Sequence, residues 1–525
     1  MYLLTLLTTY WYVALAVLLA YHVVNNYTYN GLQKYPSAHP IAGFTDWWRL
    51  LDVLSRKAEK THIAVHREKG NIVRLGPKTL SFADPAAIKT IYGLNKGMTK
   101  SDFYPVQAAI SKGKRIYSLF STQDETYHAK YKRCVNAAFS MSNLVSYEPL
   151  VESTLDVFLE QTMSRYVDTG KTCNFSQWLQ FFAFDVIGEL TWSKRLGFVE
   201  HDKDVDSIVE FVGDFLTYCA PVGQIPWLDL IWRRNPLRLK LQELDLSKTV
   251  FAVTKFAQDR AVERAAGLAS TKKDGVVDEE SGKGVDLLAK FTQAQHDHPE
   301  FMTDNQVLAS CTSMILAGSE TTAISLSSVF YHVLKHPRTY QKLIDELDDA
   351  IQDGSIETRS NGKVSWADSQ KLPYLDAVIQ ESFRIHPAPG LILERVTPLG
   401  GMTICGEHIP GGTIVGCNPW VVHRNQEVFG TDADAFRPER WLEAKPDQLR
   451  EMKASMFQFG AGPRTCIGKN ISLLEIYKLI PTFLLNFHVE LARPNEDWRT
   501  HNAWFVRPLN FEAKFSKRTK SQVTS

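Results

Sequence analysis

The residues most able to do chemistry stand near the end of the chain, where residues 459–468 read FGAGPRTCIG. Cys466 as a thiolate is a strong metal ligand, and nearby cations or amide N–H groups keep a thiolate ionised. The three glycines of this stretch have no Cβ atom, so the main chain can approach a flat ligand closely. Arg464 can stabilise the thiolate or hold an anionic group of such a ligand. The stretch therefore indicates a metal-binding thiolate beside a planar ligand.

This arrangement is that of a haem-thiolate centre, in which a cysteine binds the iron of a planar cofactor that carries acid groups. The alternative is an inert cysteine beside a loop, because lone cysteines are usually core residues. Specificity favours the first interpretation. Five fixed positions (Phe459, Gly462, Arg464, Cys466 and Gly468) form a pattern that chance gives in roughly one of several thousand chains of this length.

The pattern Phe-x-x-Gly-x-Arg-x-Cys-x-Gly resembles the haem-binding signature of the cytochrome P450 superfamily at every fixed position. The resemblance implies haem b as the cofactor, with Cys466 as the iron ligand and Phe459, Gly462 and Arg464 in the haem-binding loop. It also implies O2 and an apolar organic molecule as substrates. Electrons are then expected from NADPH through a separate reductase, since the chain has no Gly-x-Gly-x-x-Gly dinucleotide motif.

A second constellation, AGSETT at residues 317–322, interrupts an otherwise apolar helical pattern. Gly318 costs a helix about 1 kcal/mol relative to alanine. The hydroxyl of Thr321 can donate to the carbonyl of Ala317 and bend the helix. The residues alone leave open a buried polar patch satisfied by neighbouring helices. The segment also resembles the oxygen-activating segment of the P450 superfamily, which implies that Glu320 and Thr321 deliver protons to oxygen bound on the iron.

Three charged residues are predicted to be structural. Glu381 and Arg384 lie three residues apart, on one face of a predicted helix, and can pair. With Arg440 they resemble the superfamily's Glu-x-x-Arg and Pro-Glu-Arg motifs. The resemblance implies that these side chains lock the region behind the cysteine loop.

The acid groups of haem, its propionates, need cations. The resemblance places Arg464, Arg395, His128 and Lys132 beside them. The commonest superfamily pattern for the last two positions is Trp-x-x-x-Arg, whereas this chain has histidine and lysine. Both residue types can still donate to a propionate, although lysine lacks the bidentate fork of arginine.

These residues must be positioned by a mainly α fold with a minor β-sheet (α+β), because helical patterns far outnumber strand patterns and a doubly wound sheet is excluded. Hairpins are predicted for 72–75 with 79–82 and for 402–405 with 413–415, and a capping box of Thr303 and Gln306 opens the long central helix. Polar surface loops are predicted at 265–284 and 353–364. Helices are predicted at residues 121–139, 147–164, 175–190, 205–218, 237–264, 303–334, 337–352, 375–384 and 468–486.

The N-terminus predicts a membrane anchor. No Asp, Glu, Lys or Arg precedes Lys34, and residues 3–24 would form a helix of about 33 Å, enough to cross a bilayer. A cleaved signal peptide is the alternative, but a basic n-region and a clear cleavage site are missing. The predicted organisation is an anchor (1–24), a proline-bearing connector (25–45), one large haem-thiolate domain (46–515) and a polar tail (516–525). The basic residues after the span predict a single-pass protein of the endoplasmic reticulum membrane facing the cytoplasm.

Composition narrows the function further. The 525 residues include 59 Lys and Arg against 58 Asp and Glu, a net charge of +1, so no nucleic acid partner is expected. Seven cysteines without regular spacing indicate a reducing compartment rather than a disulfide framework. The chain thus resembles a fungal microsomal monooxygenase, and segments near 182–190 and 502–508 resemble the pisatin demethylase-like group. A role in fungal secondary-metabolite biosynthesis is expected. The alternatives are a haem-thiolate isomerase or dehydratase that uses no O2, and a non-catalytic haem sensor.

Overall fold

The computed structural model of the chain describes residues 2–111, 113–244, 252–273 and 286–518. Most of these residues are helical, and the strands form small sheets, as the predicted mainly α class requires. The α-helices are α1 (Tyr2–Thr28), α2 (Trp47–Leu54), α3 (Ala58–Lys69), α4 (Ala86–Tyr92), α5 (Glu125–Val135), α6 (Met141–Thr162), α7 (Phe175–Trp192), α8 (Phe198–His201), α9 (Ile208–Val222), α10 (Trp227–Ile231), α11 (Pro236–Glu243), α12 (Ala252–Lys273), α13 (Leu287–Asp297), α14 (Asp304–Lys335), α15 (Pro337–Gln352), α16 (Trp366–Ser369), α17 (Pro373–Ile385), α18 (Pro419–Val422), α19 (Gln426–Phe429), α20 (Arg440–Glu443), α21 (Pro446–Ser455) and α22 (Lys469–Asn486).

The largest sheet has the order β1-β2-β10-β7-β3, and a three-stranded sheet has the order β11-β14-β6. The pairs β4-β5, β8-β9 and β12-β13 stand alone. The strands are β1 (Ile72–Gly76), β2 (Thr79–Phe82), β3 (Thr99–Lys100), β4 (Ala109–Ser111), β5 (Lys114–Ile116), β6 (Cys173–Asn174), β7 (Arg395–Val396), β8 (Met402–Ile404), β9 (Glu407–Ile409), β10 (Ile414–Cys417), β11 (Phe487–Leu491), β12 (Arg499–Ala503), β13 (Phe505–Leu509) and β14 (Glu512–Lys517).

The long periodic helices agree closely with the predictions. Helix α15 has the predicted bounds, and α7, α14 and α22 begin and end within two residues of theirs. The predicted capping box is present at the start of α14, with both hydrogen bonds between Thr303 and Gln306. Helix α5 begins four residues later than predicted because Asp124 caps it, accepting from the amides of Thr126 and Tyr127.

Two strand predictions had different outcomes. The hairpin of β1 and β2 is confirmed as an antiparallel pair. The second hairpin is wrong: β8 pairs with β9 instead, and β10 joins the large sheet beside β2 and β7. The pairing of β10 with β2 is parallel and joins segments more than 300 residues apart, so no local pattern marks it.

Three other segments also differ from the predictions. The predicted helix 237–264 is two helices, α11 and α12, and residues 245–251 between them lie outside the described residues. The predicted surface loop 265–284 begins as helix, because α12 continues to Lys273, and residues 274–285 are not described. Strand β14 extends through Lys517, two residues into the predicted tail, and residues 519–525 are not described.

The core is built around α14, which packs against α7, α17 and α22. Gly318 permits the closest approach to α7, because a Cβ atom at this position would lie 2.6 Å from Cδ1 of Ile187. Beside α7, phenylalanines from five elements stack face to edge and face to face. They are Phe158, Phe175, Phe330, Phe483 and Phe515. The central helix is therefore held rigidly where it passes the site described next.

Helix α1 has 27 residues, a length of about 40 Å. It has a non-helical residue at Tyr10, and most of its side chains from Tyr10 onward are exposed, including Trp11, Leu18 and Tyr21. Among the described residues, one helix is long and apolar enough to cross a membrane, and it is α14, of which more than half is buried inside the protein. Helix α14 is accordingly a core helix.

Candidate active site

A cavity of about 290 Å³ lies between α14, α5, α22 and the cysteine loop. The structure brings most of the predicted site residues to its wall, although they come from distant parts of the chain. Glu320 and Gly462 are outside this wall. The predicted residues that line it are His128, Lys132, Thr321, Arg395, Phe459, Arg464 and Cys466.

The cysteine loop is closed by main-chain hydrogen bonds. The amide of Cys466 donates to the carbonyl of Phe459 at 2.9 Å, and the amide of Thr465 donates to the carbonyl of Gly462 at 3.0 Å. The thiol of Cys466 opens into the cavity, and α22 begins three residues later, at Lys469. Burial raises the pKa of Cys466, whereas the amides of Gly468 and Lys469 lower it. The thiol therefore has the amide environment that a thiolate ligand needs.

The glycines of the loop serve different purposes. Gly462 has a φ of +65°, and a Cβ atom there would lie 1.7 Å from the carbonyl oxygen of Tyr92. This glycine lets the loop pack against the end of α4, so the expectation that it lets a ligand approach is wrong. A Cβ atom on Gly468 would meet no atom within 4 Å, and Gly468 lines the cavity. Gly468 is the position at which a flat ligand can approach the main chain.

The charged residues predicted to be structural form a fully buried cluster. Arg384 donates to both carboxylate oxygens of Glu381, at 2.7 and 2.8 Å. Arg440 and the indole of Trp441 also donate to Glu381, each at 2.9 Å. The cluster and its members are therefore as predicted.

A histidine that the sequence did not single out connects this cluster to the cysteine loop. Arg384 donates to the carbonyl of His423 at 2.9 Å, and the ring Nε2 of His423 accepts from the amide of Phe457 at 2.7 Å. Burial lowers the pKa of His423 to about 3, so its ring is neutral and can accept. The amide of Gly460 in turn donates to the carbonyl of Phe457. The hydrogen bond between His423 and Phe457 therefore supports the start of the cysteine loop.

Several cations surround one side of the cavity. Arg464 forms ion-paired hydrogen bonds to Glu125 at 2.8 to 3.2 Å and donates to the carbonyl of Leu119. Arg395 donates to the hydroxyl of Tyr104 at 3.3 Å and lies over the rings of Tyr92 and Tyr104. Both guanidinium groups are buried, and both line the cavity.

Lys100 is a further cation of this group, and no local sequence motif marks it as a site residue. It is the register partner of Arg395 in the pairing of β3 with β7, so both side chains lie on the same side of the sheet. Its ammonium donates to the carbonyl of Phe120 and lies over the rings of Tyr104 and Phe120. Burial, Arg395 and Arg464 lower the pKa of Lys100 well below its usual value. Arg464 is paired with Glu125, whereas Arg395 and Lys100 have no carboxylate within ion-pair distance among the described residues, so an anionic ligand between the three groups would relieve their mutual repulsion.

The two residues of α5 differ in their environment. Lys132 donates to the carbonyl of Pro463 at 2.8 Å and so ties α5 to the cysteine loop. His128 is buried, and burial together with the neighbouring Arg464 lowers its pKa to about 3. Its neutral ring can still donate one N–H to an acceptor in the cavity, but it adds no positive charge there.

The two residues predicted to deliver protons, Glu320 and Thr321, lie on different faces of α14. Thr321 lines the cavity, and its hydroxyl donates to the carbonyl of Ala317 at 2.7 Å, as expected. Glu320 is buried on another face of α14, where it accepts from Gln180 at 2.7 Å. Nε of Arg507 lies 2.8 Å from Oε1 of Glu320 and forms an ion pair with it. Burial raises the pKa of Glu320, whereas Arg507 and Gln180 lower it.

An apolar and aromatic part of the cavity wall adjoins the cations, since Trp504 packs against Tyr104 and Phe120, over whose rings Lys100 lies. Trp504 lies at the tip of the β12-β13 hairpin with a φ of +80°, which is unusual for a bulky residue. Hydrogen bonds from Gly390 to the carbonyl of Trp504 and from Val506 to that of Ala388 hold this conformation. The indole packs against Phe103 and Phe120. This hairpin gives the cavity a fixed aromatic wall.

Comparison with known proteins agrees with this geometry. The family model described as "Cytochrome P450" matches residues 36–515. The chain belongs to the cytochrome P450 family. It is 42% identical over 478 residues to cytochrome P450 monooxygenase cicH of Emericella nidulans, with 91% of this chain and 92% of the relative covered. It is 42% identical over 449 residues to a cytochrome P450 monooxygenase of Aspergillus terreus (85% and 88% covered) and 37% identical over 477 residues to cytochrome P450 monooxygenase pkfB of Emericella nidulans (91% and 89%).

The residues of this P450 fit the haem that its family implies. A thiol opens into the cavity beside a glycine with free space, and buried cations gather where two carboxylates would balance them. The prediction that the chain is a haem-thiolate member of the family is confirmed at the level of the family. The finer likeness to the pisatin demethylase-like group stays a prediction.

Proposed function

We propose that this P450 is a haem-thiolate monooxygenase that inserts one oxygen atom from O2 into an apolar small molecule, in fungal secondary-metabolite biosynthesis. The observation that carries the proposal is the opening of the Cys466 thiol into a cavity lined by Thr321 and by buried cations. The fungal relatives are named as monooxygenases, which favours this activity over isomerisation, dehydration or haem sensing.

The haem-thiolate group supplies the chemistry that activates O2 when it is bound. Cys466 would hold its iron, and the amides of Gly468 and Lys469 would keep the thiolate charged. Arg464, Arg395 and Lys100 would hold its carboxylates, with hydrogen bonds from His128. Lys132 serves this site indirectly, because it fixes the cysteine loop through the carbonyl of Pro463.

Thr321 is one of the α14 hydroxyl groups that line the cavity and can relay a proton there. Its own hydrogen is directed to the carbonyl of Ala317, so its oxygen remains free to accept from water. Glu320 can contribute only when its ion pair with Arg507 opens, because its carboxylate faces away from the cavity wall. Arg507 belongs to β13, and Phe505 of the same strand lines the cavity. A substrate that displaces this strand would therefore move Arg507 and weaken its ion pair with Glu320.

Replacing Thr321 by alanine is expected to keep haem binding but to redirect most of the reduced oxygen to hydrogen peroxide. Loss of a general acid–base group typically costs about 10²- to 10⁴-fold in the step it serves. The measurement is peroxide formed per NADPH consumed, with the reductase present. Thr321→Ser, which keeps the hydroxyl, is the matched control and is expected to stay coupled. Peroxide yields equal to wild type in Thr321→Ala would remove the proton-delivery role.

We also propose that electrons arrive from an NADPH-dependent reductase on the face that carries the cysteine loop. Lys130, Arg133 and Lys469 are exposed near this loop, and a basic surface favours an acidic protein partner. This face is therefore the surface to which we expect the electron donor to bind.

Membrane attachment is the last part of the proposal. Helix α1 exposes apolar side chains from Tyr10 onward, and its sequence contains no Asp, Glu, Lys or Arg. Two further surfaces carry exposed large apolar residues: Trp47, Leu51 and Leu54 on α2, and Trp227, Leu230, Ile231 and Trp232 at α10. Helix α2 packs on α9, which leads to α10, so these surfaces belong to one region of the molecule. An exposed apolar region of this kind suits the membrane interface.

The full chain is therefore expected to sediment with endoplasmic reticulum membranes and to resist extraction by alkaline carbonate. Removal of residues 1–33 should leave weak association that salt or carbonate releases, because only the surfaces at α2 and α10 remain. The additional substitutions Trp227→Ser and Ile231→Ser should then make the protein remain in the supernatant. A truncated protein that still resists carbonate, or a full chain that does not sediment, would contradict the proposal.

A further inference from the structure

A second carboxyl group lies at the cavity, and the function proposed above does not use it. Glu475 on α22 is fully buried and lines the cavity wall. Within the described ranges, it is the buried carboxyl group whose two oxygens both lack a hydrogen-bond partner. A buried polar group without a protein partner is normally satisfied by ordered water or by a ligand. Packing alone gives no reason for an acid at this position.

Other buried acids of the chain have evident structural partners. Asp185 accepts from four consecutive amides, from Leu196 to Val199. Glu59 accepts from the side chains of Asn502 and Thr500. Glu320 is paired with Arg507 and lies off the cavity wall. Glu475 differs from all of them because it faces the cavity and has no such partner.

Two hydroxyl groups near Glu475 join α22 to the central helix, α14. Ser472 lies three residues earlier on α22, so it shares a face with Glu475. The hydroxyl of Thr322 donates to the hydroxyl of Ser472 at 3.1 Å, and both residues line the cavity. Thr322 is adjacent to Thr321. With a water molecule between Glu475, which has no protein partner, and Ser472, these groups would form a track from α22 to the point on α14 at which protons are needed.

The burial of Glu475 also favours the protonated form of its carboxyl group. Burial raises the pKa of Glu475 well above its usual value, and no charged neighbour acts against this effect. Desolvation of this kind favours the protonated form of a carboxyl group, which is the form that can act as a general acid. Glu320, in contrast, has the guanidinium of Arg507 to stabilise its charged form.

We propose that Glu475 is a second proton source for the monooxygenase and acts through Ser472, Thr322 and cavity water. In each transfer, the O–H bond of the Glu475 carboxyl group breaks as an O–H bond forms on a bridging water, and each water or hydroxyl oxygen that gains a proton gives its own proton to the next oxygen. The hydroxyls of Ser472 and Thr322 rotate for this step, because Ser472, which accepts from Thr322 in the structure, must then donate. The carboxylate left behind takes a proton back from solvent water, so no electrons move and the group is restored. The inference rests on the proposed function, which it deepens by naming a residue that the α14 motif does not contain.

The first test reads the proton directly and needs no turnover. Infrared difference spectra of the haem-loaded full chain, wild type minus Glu475→Gln, should contain a carbonyl band of a protonated carboxylic acid that shifts in D2O. Glu59→Gln, which replaces another buried acid away from the cavity, should leave this band in place. A difference spectrum with a carboxylate band instead would show that Glu475 is charged and would overturn the proposal.

The second test measures proton delivery. With NADPH and a reductase, Glu475→Gln is expected to raise the peroxide formed per NADPH and to slow NADPH consumption by about ten-fold. This loss of rate is smaller than that for complete loss of a general acid, because the route through Thr321 remains. The solvent isotope effect on NADPH consumption should rise with it. Ser472→Ala removes the link to Thr322 with little change in volume and should have the same direction of effect. Coupling equal to wild type in both variants would overturn the proposal.

These outcomes are separable from failure of the proposed function. If wild type lacks the thiolate-type carbon monoxide spectrum or does not consume NADPH, the monooxygenase proposal itself fails. If wild type and the Thr321→Ala variant behave as expected while Glu475→Gln stays coupled, only the role of Glu475 is refuted.

Discussion

Replacing Cys466 by alanine is expected to abolish the strongly red-shifted carbon monoxide band of the reduced protein, together with all NADPH-driven oxygenation. The thiol of Cys466 is the cysteine group that opens into the cavity among the described residues, so no other thiol there can replace it. The loss should reach the detection limit, because the electron donation by the thiolate that activates O2 disappears entirely. The measurement is a reduced carbon monoxide difference spectrum of the membrane fraction.

The matched control is Cys311→Ala. Cys311 is a buried cysteine on α14 that does not line the cavity, so its removal should keep the band at the wild-type position. A wild-type band at the position typical of histidine-ligated haem, or a thiolate-type band that survives in Cys466→Ala, would contradict the assignment of the iron ligand.

The second large effect is expected on stability. Replacing Arg384 by alanine should lower the free energy of unfolding by about 3–5 kcal/mol, the usual cost of breaking a buried ion pair. Glu381 keeps Arg440 as a partner, so its charge is not left alone. The larger part of the loss should come from the carbonyls of His423 and Ala433, which lose their donor, whereas the carbonyl of Ala435 keeps Arg440 as a donor. Denaturant unfolding and haem content after purification measure the effect.

Arg437→Ala provides the comparison within the same segment. Arg437 pairs with Asp432 and Glu443 near the surface, and its contact with Glu381 uses only the main-chain amide, which alanine retains. Exposed pairs contribute about 0–1 kcal/mol, so this variant should lose little stability. Equal losses in the two variants, or unchanged stability and haem content in Arg384→Ala, would refute the role of the buried cluster.

Features that depend on local sequence were predictable. The loop around Cys466, the pair of Glu381 and Arg384 and the capping box of Thr303 each lie within ten residues, so their spacing is visible in the sequence. The long helices were predicted within a few residues because a 3.6-residue pattern continues over many turns. Arg440 required the resemblance to the P450 superfamily, since 56 residues separate it from Arg384.

Features that depend on distant segments were not predictable from the residues alone. Lys100 becomes a cavity cation only because β3 pairs with β7, almost 300 residues later. The partner of β10 is likewise a strand from the beginning of the domain, whereas β8 and β9 are adjacent in the chain and pair locally. Short strands carry too few residues for their pattern to fix a partner.

Glu320 illustrates an inference that helical phase could have refined. The residues of α14 at the cavity are at positions 310, 313, 314, 317, 318, 321, 322 and 325, which follow the spacing of one helical face. Position 320 lies outside this stripe. The sequence therefore contained the information that Thr321, but not Glu320, faces the cavity, while the ion pair with Arg507 could only be seen in the structure.

The contact between Gly318 and Ile187 has a consequence for protein engineering. Both residues line the cavity, and a methyl group on Gly318 would overlap with the side chain of Ile187. A library that varies position 318 alone would force the end of the Ile187 side chain aside for every larger residue, and one that trims position 187 alone would open a hole behind the central helix. Randomising the two positions together would allow a larger side chain at position 318 to be matched by a smaller one at position 187. The pocket could then be reshaped while the two helices remain in contact.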